Sequence, residues 1–263
     1  CPIQRMRQHL IDTAIASKDE IDQIDIDTES KVDEAEKFAM DSPQPDVTTV
    51  GEHMWGSMVE ASDQQSVCPK TQKQNWLDAT RDAIAGEMRR DPHLVYLGEG
   101  IGERGGSFAH TKGLWKEFGS DRLIDTPICE MAFTGAAAGA AATGCRAIAD
   151  LMFADFMFES ASQIIQQAAK LRYMSNGQFS VPLLVRGPMG AIKSAGPHHS
   201  GAYYPMWSHC PGLSVVVPSN AADAKGLFTA SLRTGDPVIM MEPKILLGSE
   251  CAVPVGEWLI PFG

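Results

Sequence analysis

Basic residues are scarce in this chain: 22 Lys and Arg face 33 Asp and Glu, for a net charge of −11. That balance argues against a nucleic-acid partner, which needs clustered cations to displace the counterions of phosphate. Long apolar runs are missing too. The longest small, apolar stretch, Ala136 to Ala142, is far short of the roughly 20 residues of a membrane helix, so neither a membrane span nor a signal peptide is expected. The six cysteines (Cys1, Cys68, Cys129, Cys145, Cys210 and Cys251) form no CxxC pair and follow no regular spacing. A disulfide scaffold would be small and Cys-dense, so the expectation is reduced thiols in a cytoplasmic compartment. Hydrophobic residues make up 44% of the 263, enough for a sizeable core. No methionine opens the chain and it stops at Pro261-Phe262-Gly263, which reads as a piece of a longer polypeptide.

The charge is unevenly spread. Residues 1–50 hold twelve Asp or Glu against five Lys or Arg, which is −7 of the total. Residues 2–41 read as helical: Ser17 with Glu20 is a capping-box pattern, and Ile21, Ile24, Thr28, Val32, Ala35 and Phe38 recur at spacings of three and four, one apolar stripe on an acidic helix. Ser42-Pro43-Gln44-Pro45 ends it. Residues 59–75 are polar, contain Pro69 and lack periodicity, which predicts a linker.

From residue 76 onward, helix-like segments alternate with short apolar ones. Helices are expected over Trp76–Arg90, Glu130–Thr143, Phe156–Tyr173 and Ala221–Arg233. Strands are expected at Leu94–Leu97, Ala147–Met152, Val181–Val185, Val215–Val217 and Val238–Met241. Near-continuous apolar strands alternating with helices imply an α/β fold, a mostly parallel sheet with helices on both faces, here with an N-terminal helical extension. Ligands of such sheets sit beyond the carboxyl ends of the strands.

Gly100-Ile101-Gly102-Glu103-Arg104-Gly105 is a formal G-x-G-x-x-G after a strand, with Asp125 twenty residues past its last glycine, as in a nucleotide site of an NAD-binding dehydrogenase. That reading needs a helix opening on the third glycine. A loop-like run to Gly113 follows instead, and Glu99 and Glu103 would face the pyrophosphate, so a glycine loop beside a site is the better reading. Glu130 opens a helix of small residues. The helix dipole alone favours a carboxylate there, and desolvation at a strand end would equally suit proton handling. His198-His199-Ser200 lies in a Gly/Pro-punctuated loop near His209-Cys210. The spacing fits no regular zinc pattern, and no G-x-S-x-G surrounds Ser200. A loop histidine with acid–base duty remains open. Met152, Phe153, Phe156 and Phe158 read as core or as a wall for a flat ring.

Several motifs together resemble the beta subunit of the decarboxylating component of 2-oxo acid dehydrogenases: Gly98-Glu99 through Phe118-Gly119, Asp125-Thr126-Pro127-Ile128-Cys129-Glu130, Ala168 to Met174, Val185-Arg186-Gly187-Pro188, His199-Ser200 and His209 to Leu213. Residues 1–58 resemble the helical tail of the alpha subunit, so the resemblance implies a fused alpha–beta polypeptide with the pyrimidine-binding domain over 76–263 and a transketolase-like fold. It further implies thiamine diphosphate. Glu130 would bond the pyrimidine ring nitrogen, favour the imino tautomer and so activate the thiazolium carbon for decarboxylation of a 2-oxo acid and reductive acylation of a lipoyl group. Glu99 would be a second carboxylate near the ring, Ile128, Met152 and Phe156 pocket wall, and His199 the loop histidine of substrate binding and acyl transfer. Leu183, Ser231, Thr234 and Asp236 stand where relatives hold potassium. Magnesium and the diphosphate would belong to an alpha-subunit-like domain. The lipoyl domain of the acyltransferase component and further copies of the enzyme are the other implied partners. Glu242-Pro243-Lys244 resembles branched-chain members. Departures are Ser162-Gln163, where an Asp-Gln pair is common, and Glu159, where relatives often have Gln or Ala. A transketolase-like transferase or an acetoin-cleaving enzyme would use the same domain.

Overall fold

The computed structural model describes residues 1–60 and 70–262. The chain divides into two units, residues 1–50 and 51–263.

In the first unit, α1 (Pro2–Asp12) and α2 (Lys18–Asp41) are separate helices rather than one. Ser17 starts the second: its hydroxyl accepts the Glu20 N–H at 3.2 Å while the Glu20 carboxylate accepts the Ser17 N–H at 2.8 Å, so two otherwise unmet donors are satisfied. Arg7 of α1 pairs with Asp22 and Asp25 of α2. Of the apolar stripe only Ile21 is buried, and Phe38 is 75% exposed. After Asp41 a 3-10 turn covers Val47–Thr49. Gly56 groups with the second unit, its N–H donating to Asp236 Oδ2 at 2.6 Å.

The second unit opens with β1 (Thr71–Asn75) and α3 (Trp76–Arg90), then β2 (Leu94–Gly98), α4 (Leu114–Phe118), β3 (Leu123–Asp125), α5 (Glu130–Ala142), β4 (Arg146–Asp150), α6 (Ala169–Met174), β5 (Leu183–Met189), α7 (Tyr204–Ser208), β6 (Ser214–Val216), α8 (Ala221–Arg233), β7 (Val238–Pro243) and β8 (Glu250–Pro254). Residues 71–75 were expected to end a linker. They form a strand because β8 lies antiparallel beside them, Thr71 opposite Pro254 and Asn75 opposite Glu250; the polar sequence hid a pairing made across the chain. The first part of that linker, 61–69, lies outside the described residues.

The main sheet has the order β3-β2-β4-β5-β7-β6, every pair parallel. Alternate residues of each strand feed opposite cores. Leu97, Ala147, Ala149, Leu183, Val185, Ile239 and Met241 pack toward α5 and the helix after β4. Leu94, Tyr96, Ile148, Leu184, Val238 and Met240 pack toward α3 and α8. Both faces are covered, which is why the strands read as apolar runs rather than alternations. The expected helix 156–173 is broken. A 3-10 turn covers Ala154–Phe158, and the following helix widens to π geometry over Ser162–Ala168 before α6. That wider turn lies against α5, where Gly135 leaves room for the Gln163 side chain. Among the described residues no helix is long and apolar enough to cross a membrane.

Candidate functional site

The carboxyl ends of β2, β3, β4, β5 and β7 share one edge of the sheet, and the residues with chemistry gather there. Glu99 follows β2. Asp125 ends β3, and the Thr126 N–H returns to the Gly98 carbonyl at 2.9 Å, which leads the chain across to Glu130, the first residue of α5. Glu130 is half-buried rather than immersed in the core. Glu99 is close enough to feel its charge. Burial lifts the Glu99 carboxyl above its ordinary value, and the charges of Glu130, Asp150 and Asp125 add to the lift. Glu99 Oε1 is moreover buried without a hydrogen-bond partner, an acceptor waiting for a donor.

The glycine loop is explained by Asp125. Its two carboxylate oxygens accept the N–H groups of Gly100 and Gly102 at 2.6 and 3.3 Å, and Gly100 and Gly105 hold φ of +63° and +83°. The acid that a dinucleotide reading would give to a ribose is already engaged, and no helix opens on Gly105. The next helix is α4 at Leu114.

Ile128 is 81% exposed, so it can wall a ligand from one side only, with Met131 and Ile124 also exposed nearby in sequence. Met152 and Phe156 are half-buried. Met152 has φ +32° and donates its N–H to Asp150 Oδ1 at 3.1 Å; a left-handed non-glycine residue at a strand end is the strain that sites tolerate. The ring of His199 meets Phe153 edge-on at 4.7 Å and Phe156 at 5.3 Å, whereas His198 is exposed. His199, Phe156 and Phe153 therefore come together, and Glu99 with Glu130.

Beneath this edge lies a buried charge network that sequence reading missed. Arg186 of β5 donates from Nη1 to Asp150 Oδ2 at 2.7 Å and from Nε to Glu242 Oε2 at 2.7 Å. The Tyr96 hydroxyl donates to Asp150 at 2.7 Å and Trp76 Nε1 to Glu242 at 2.9 Å. His110 Nε2 stands 2.5 Å from Asp150 Oδ2 without a well-directed hydrogen bond. Burial alone would raise the Asp150 carboxyl, but Arg186, His110 and Tyr96 outweigh it and hold the group well below the carboxylate range. The signal for this network was a charged residue, Arg186, inside an apolar strand. Four strands are pinned by it, and it fixes the ground on which Glu99 sits.

The four residues set against potassium are engaged as follows. The Thr234 carbonyl accepts Arg146 Nη1 at 2.7 Å, and the Asp236 carboxylate accepts Arg172 Nε at 2.7 Å and the Gly56 N–H. The Ser231 hydroxyl donates to the Leu227 carbonyl at 2.7 Å, and Leu183 opens β5. Two guanidinium groups thus engage the Thr234 carbonyl and the Asp236 carboxylate.

The ring-binding half of a thiamine diphosphate site fits what is present: an unpartnered buried carboxylate oxygen on Glu99, a second carboxylate at a helix start, and an apolar wall open on one side. The transketolase pyrimidine-binding-domain family matches residues 72–250. The chain is 44% identical over 187 residues to the pyruvate dehydrogenase E1 component subunit beta of Rhizobium meliloti, covering 71% of this chain and 41% of that one. It is 48% identical over 195 residues to the acetoin:2,6-dichlorophenolindophenol oxidoreductase subunit beta of Cupriavidus necator, covering 70% and 57%. It is 41% identical over 192 residues to the 2-oxoisovalerate dehydrogenase subunit beta of Bacillus subtilis, covering 72% and 58%. The chain spans about half the length of these relatives. Sheet order, the paired carboxylates at its carboxyl edge and the match over 72–250 agree: this chain belongs to the transketolase pyrimidine-binding-domain family and is homologous to the beta subunits of 2-oxo acid dehydrogenases and of an acetoin oxidoreductase.

Proposed function

We propose that the chain supplies the pyrimidine-binding half of the active site in a thiamine-diphosphate-dependent 2-oxo acid dehydrogenase. The observation that carries this reading is the juxtaposition of Glu99 and Glu130 beside an exposed apolar wall. When bound, the cofactor supplies the carbon nucleophile for decarboxylation, and the protein supplies tautomer control and a dry pocket. Glu130 bonds the ring nitrogen and holds a proton there. Glu99, whose carboxyl burial holds above its ordinary value, would accept from a donor on the ring through its unpartnered Oε1. Ile128, Met152 and Phe156 exclude water from the ring. His199 binds the substrate and assists acyl transfer to the lipoyl domain of an acyltransferase component.

Exposed Ile124, Ile128 and Met131 support a covering partner, an alpha-subunit-like domain that would hold the diphosphate and magnesium. Residues 1–58 would be the tail of such a region fused to this one, in a homo-oligomeric enzyme, and the piece alone would be inactive. The five cysteines among the described residues are free thiols, which supports a reducing, cytoplasmic setting. Branched-chain 2-oxo acids are the favoured substrates on Glu242-Pro243-Lys244. The 48% identity to the acetoin-linked relative supports acetoin as the second reading.

The test is Glu130→Gln in the intact enzyme, assayed with 2-oxo acids, acetoin and sugar phosphates. Loss of decarboxylation by about a thousandfold with an unchanged circular-dichroism spectrum is expected. Near-normal turnover, or activity on sugar phosphates alone, refutes the proposal.

A further inference from the structure

Lys244 is only 1% exposed and none of the roles above uses it. It follows β7, and the β5–β7 register sets Pro243 opposite Met189. The loop of residues 190–201 therefore leaves the sheet beside Lys244. Its base is closed by the Gly190 N–H on the Gly201 carbonyl at 2.7 Å. At the far side of that base the Gly201 N–H donates to Asp155 Oδ1 at 2.9 Å. Lys244 Nζ donates to the backbone carbonyl of His199 and lies 4.7 Å from the centroid of the Phe153 ring, the ring that packs against the His199 imidazole. One ammonium thus holds both the backbone and the packing partner of the same histidine.

We propose that Lys244 is the positioning residue of His199, latching residues 196–201 to the sheet edge, with Asp155 as the second anchor of that loop. The proposal rests on the role given to His199 above, and it adds a residue that touches neither substrate nor cofactor. Two features fit a latch rather than a salt bridge. Burial holds the Lys244 ammonium below its ordinary value, with the Asp155 charge restoring part of it, so the group is kept where its charge is disfavoured. And it meets the loop through a backbone carbonyl, which makes the contact independent of the imidazole's own protonation.

The test is Lys244→Met in the intact enzyme, read in two independent ways. The first is the rate of trypsin cleavage after Lys193, an exposed residue inside the loop. Loss of a charged hydrogen bond should raise it about tenfold or more. The second is steady-state kinetics, where the 2-oxo acid KM should rise while cofactor affinity stays constant. Lys225→Met is the control: Lys225 is also buried and donates to a backbone carbonyl, that of Pro254, at 2.7 Å, and it should leave the Lys193 cleavage rate unchanged. If Lys244→Met does not fold, Asp155→Ala, at a half-buried position, should open the loop in the same sense. Unchanged cleavage in the folded variant overturns the latch, whatever the activity. Faster cleavage with unaltered kinetics upholds the latch and removes His199 from the catalytic reading instead.

Discussion

Arg186→Met tests the idea that the sheet edge rests on a balanced buried charge network. The guanidinium is 1% exposed and serves two carboxylates, Asp150 and Glu242, that are themselves 2% and 0% exposed. Methionine matches much of its length but donates nothing, so two carboxylates lose their cation in a dry place. Removing one partner of a buried ion pair costs about 3–5 kcal/mol. For a unit of this size each kcal/mol is worth about 2–4 °C, so Tm should fall by roughly 10 °C at pH 7. The pH dependence follows from the sign of the shift. In the native protein Asp150 is depressed, so its stabilisation is present above its unfolded value near about pH 4 and is lost only as pH falls through the folded one. Burial is the largest of the influences on Asp150 and Arg186 the first of those that oppose it, so in the variant Asp150 is expected to rise above its unfolded value. Such a group destabilises progressively as pH climbs past about 4. The deficit of the variant must therefore be smaller at pH 5 than at pH 7. Thermal unfolding followed by circular dichroism at both values measures it. A Tm change of less than about 2 °C at pH 7, or a deficit that grows toward pH 5, refutes the reasoning.

Glu99→Gln removes a carboxyl that the fold holds above its ordinary value. A raised carboxyl loses stability as pH rises, so the variant should melt higher than the native chain at pH 7 and show little difference at pH 4, while decarboxylation by the intact enzyme falls. Gly212→Ala should abolish soluble expression, because Gly212 has φ +85° and an added Cβ would lie 2.1 Å from the Ala169 carbonyl oxygen; backbone on both sides leaves no flexible side chain to yield. Recovery of folded protein in near-normal yield would contradict that packing.

The elements legible in the sequence were those whose signal is local. The helices at Trp76–Arg90 and Ala221–Arg233 carry their own caps, Asn75 and Asn220, each accepting an N–H three residues on. The apolar strands at Leu94, Ala147 and Val238 announce burial on both faces, and Glu130 lies between a strand end and a small-residue helix in plain view. Ser17 with Glu20 likewise started its helix as read. What escaped was made across the chain. The polar segment 71–75 is a strand only because residues 250–254 lie beside it, and the widened turn at Ser162–Ala168 answers to packing on α5, not to any local preference. Asp125 looked like a ligand-binding acid until its carboxylate was found on the N–H groups of Gly100 and Gly102.

Local periodicity and capping chemistry, together with the motif resemblance, thus determined the parallel sheet and the carboxylate pair at its edge, because strand and helix preferences act over a few residues. Only the tertiary structure decided which polar groups are already engaged and which wait: the guanidinium groups on Thr234 and Asp236, the six-residue network centred on Arg186, the lysine on His199 and the orphaned oxygen of Glu99. Hydrogen-bond satisfaction is a property of three-dimensional neighbours, and these partners lie tens of residues apart along the chain.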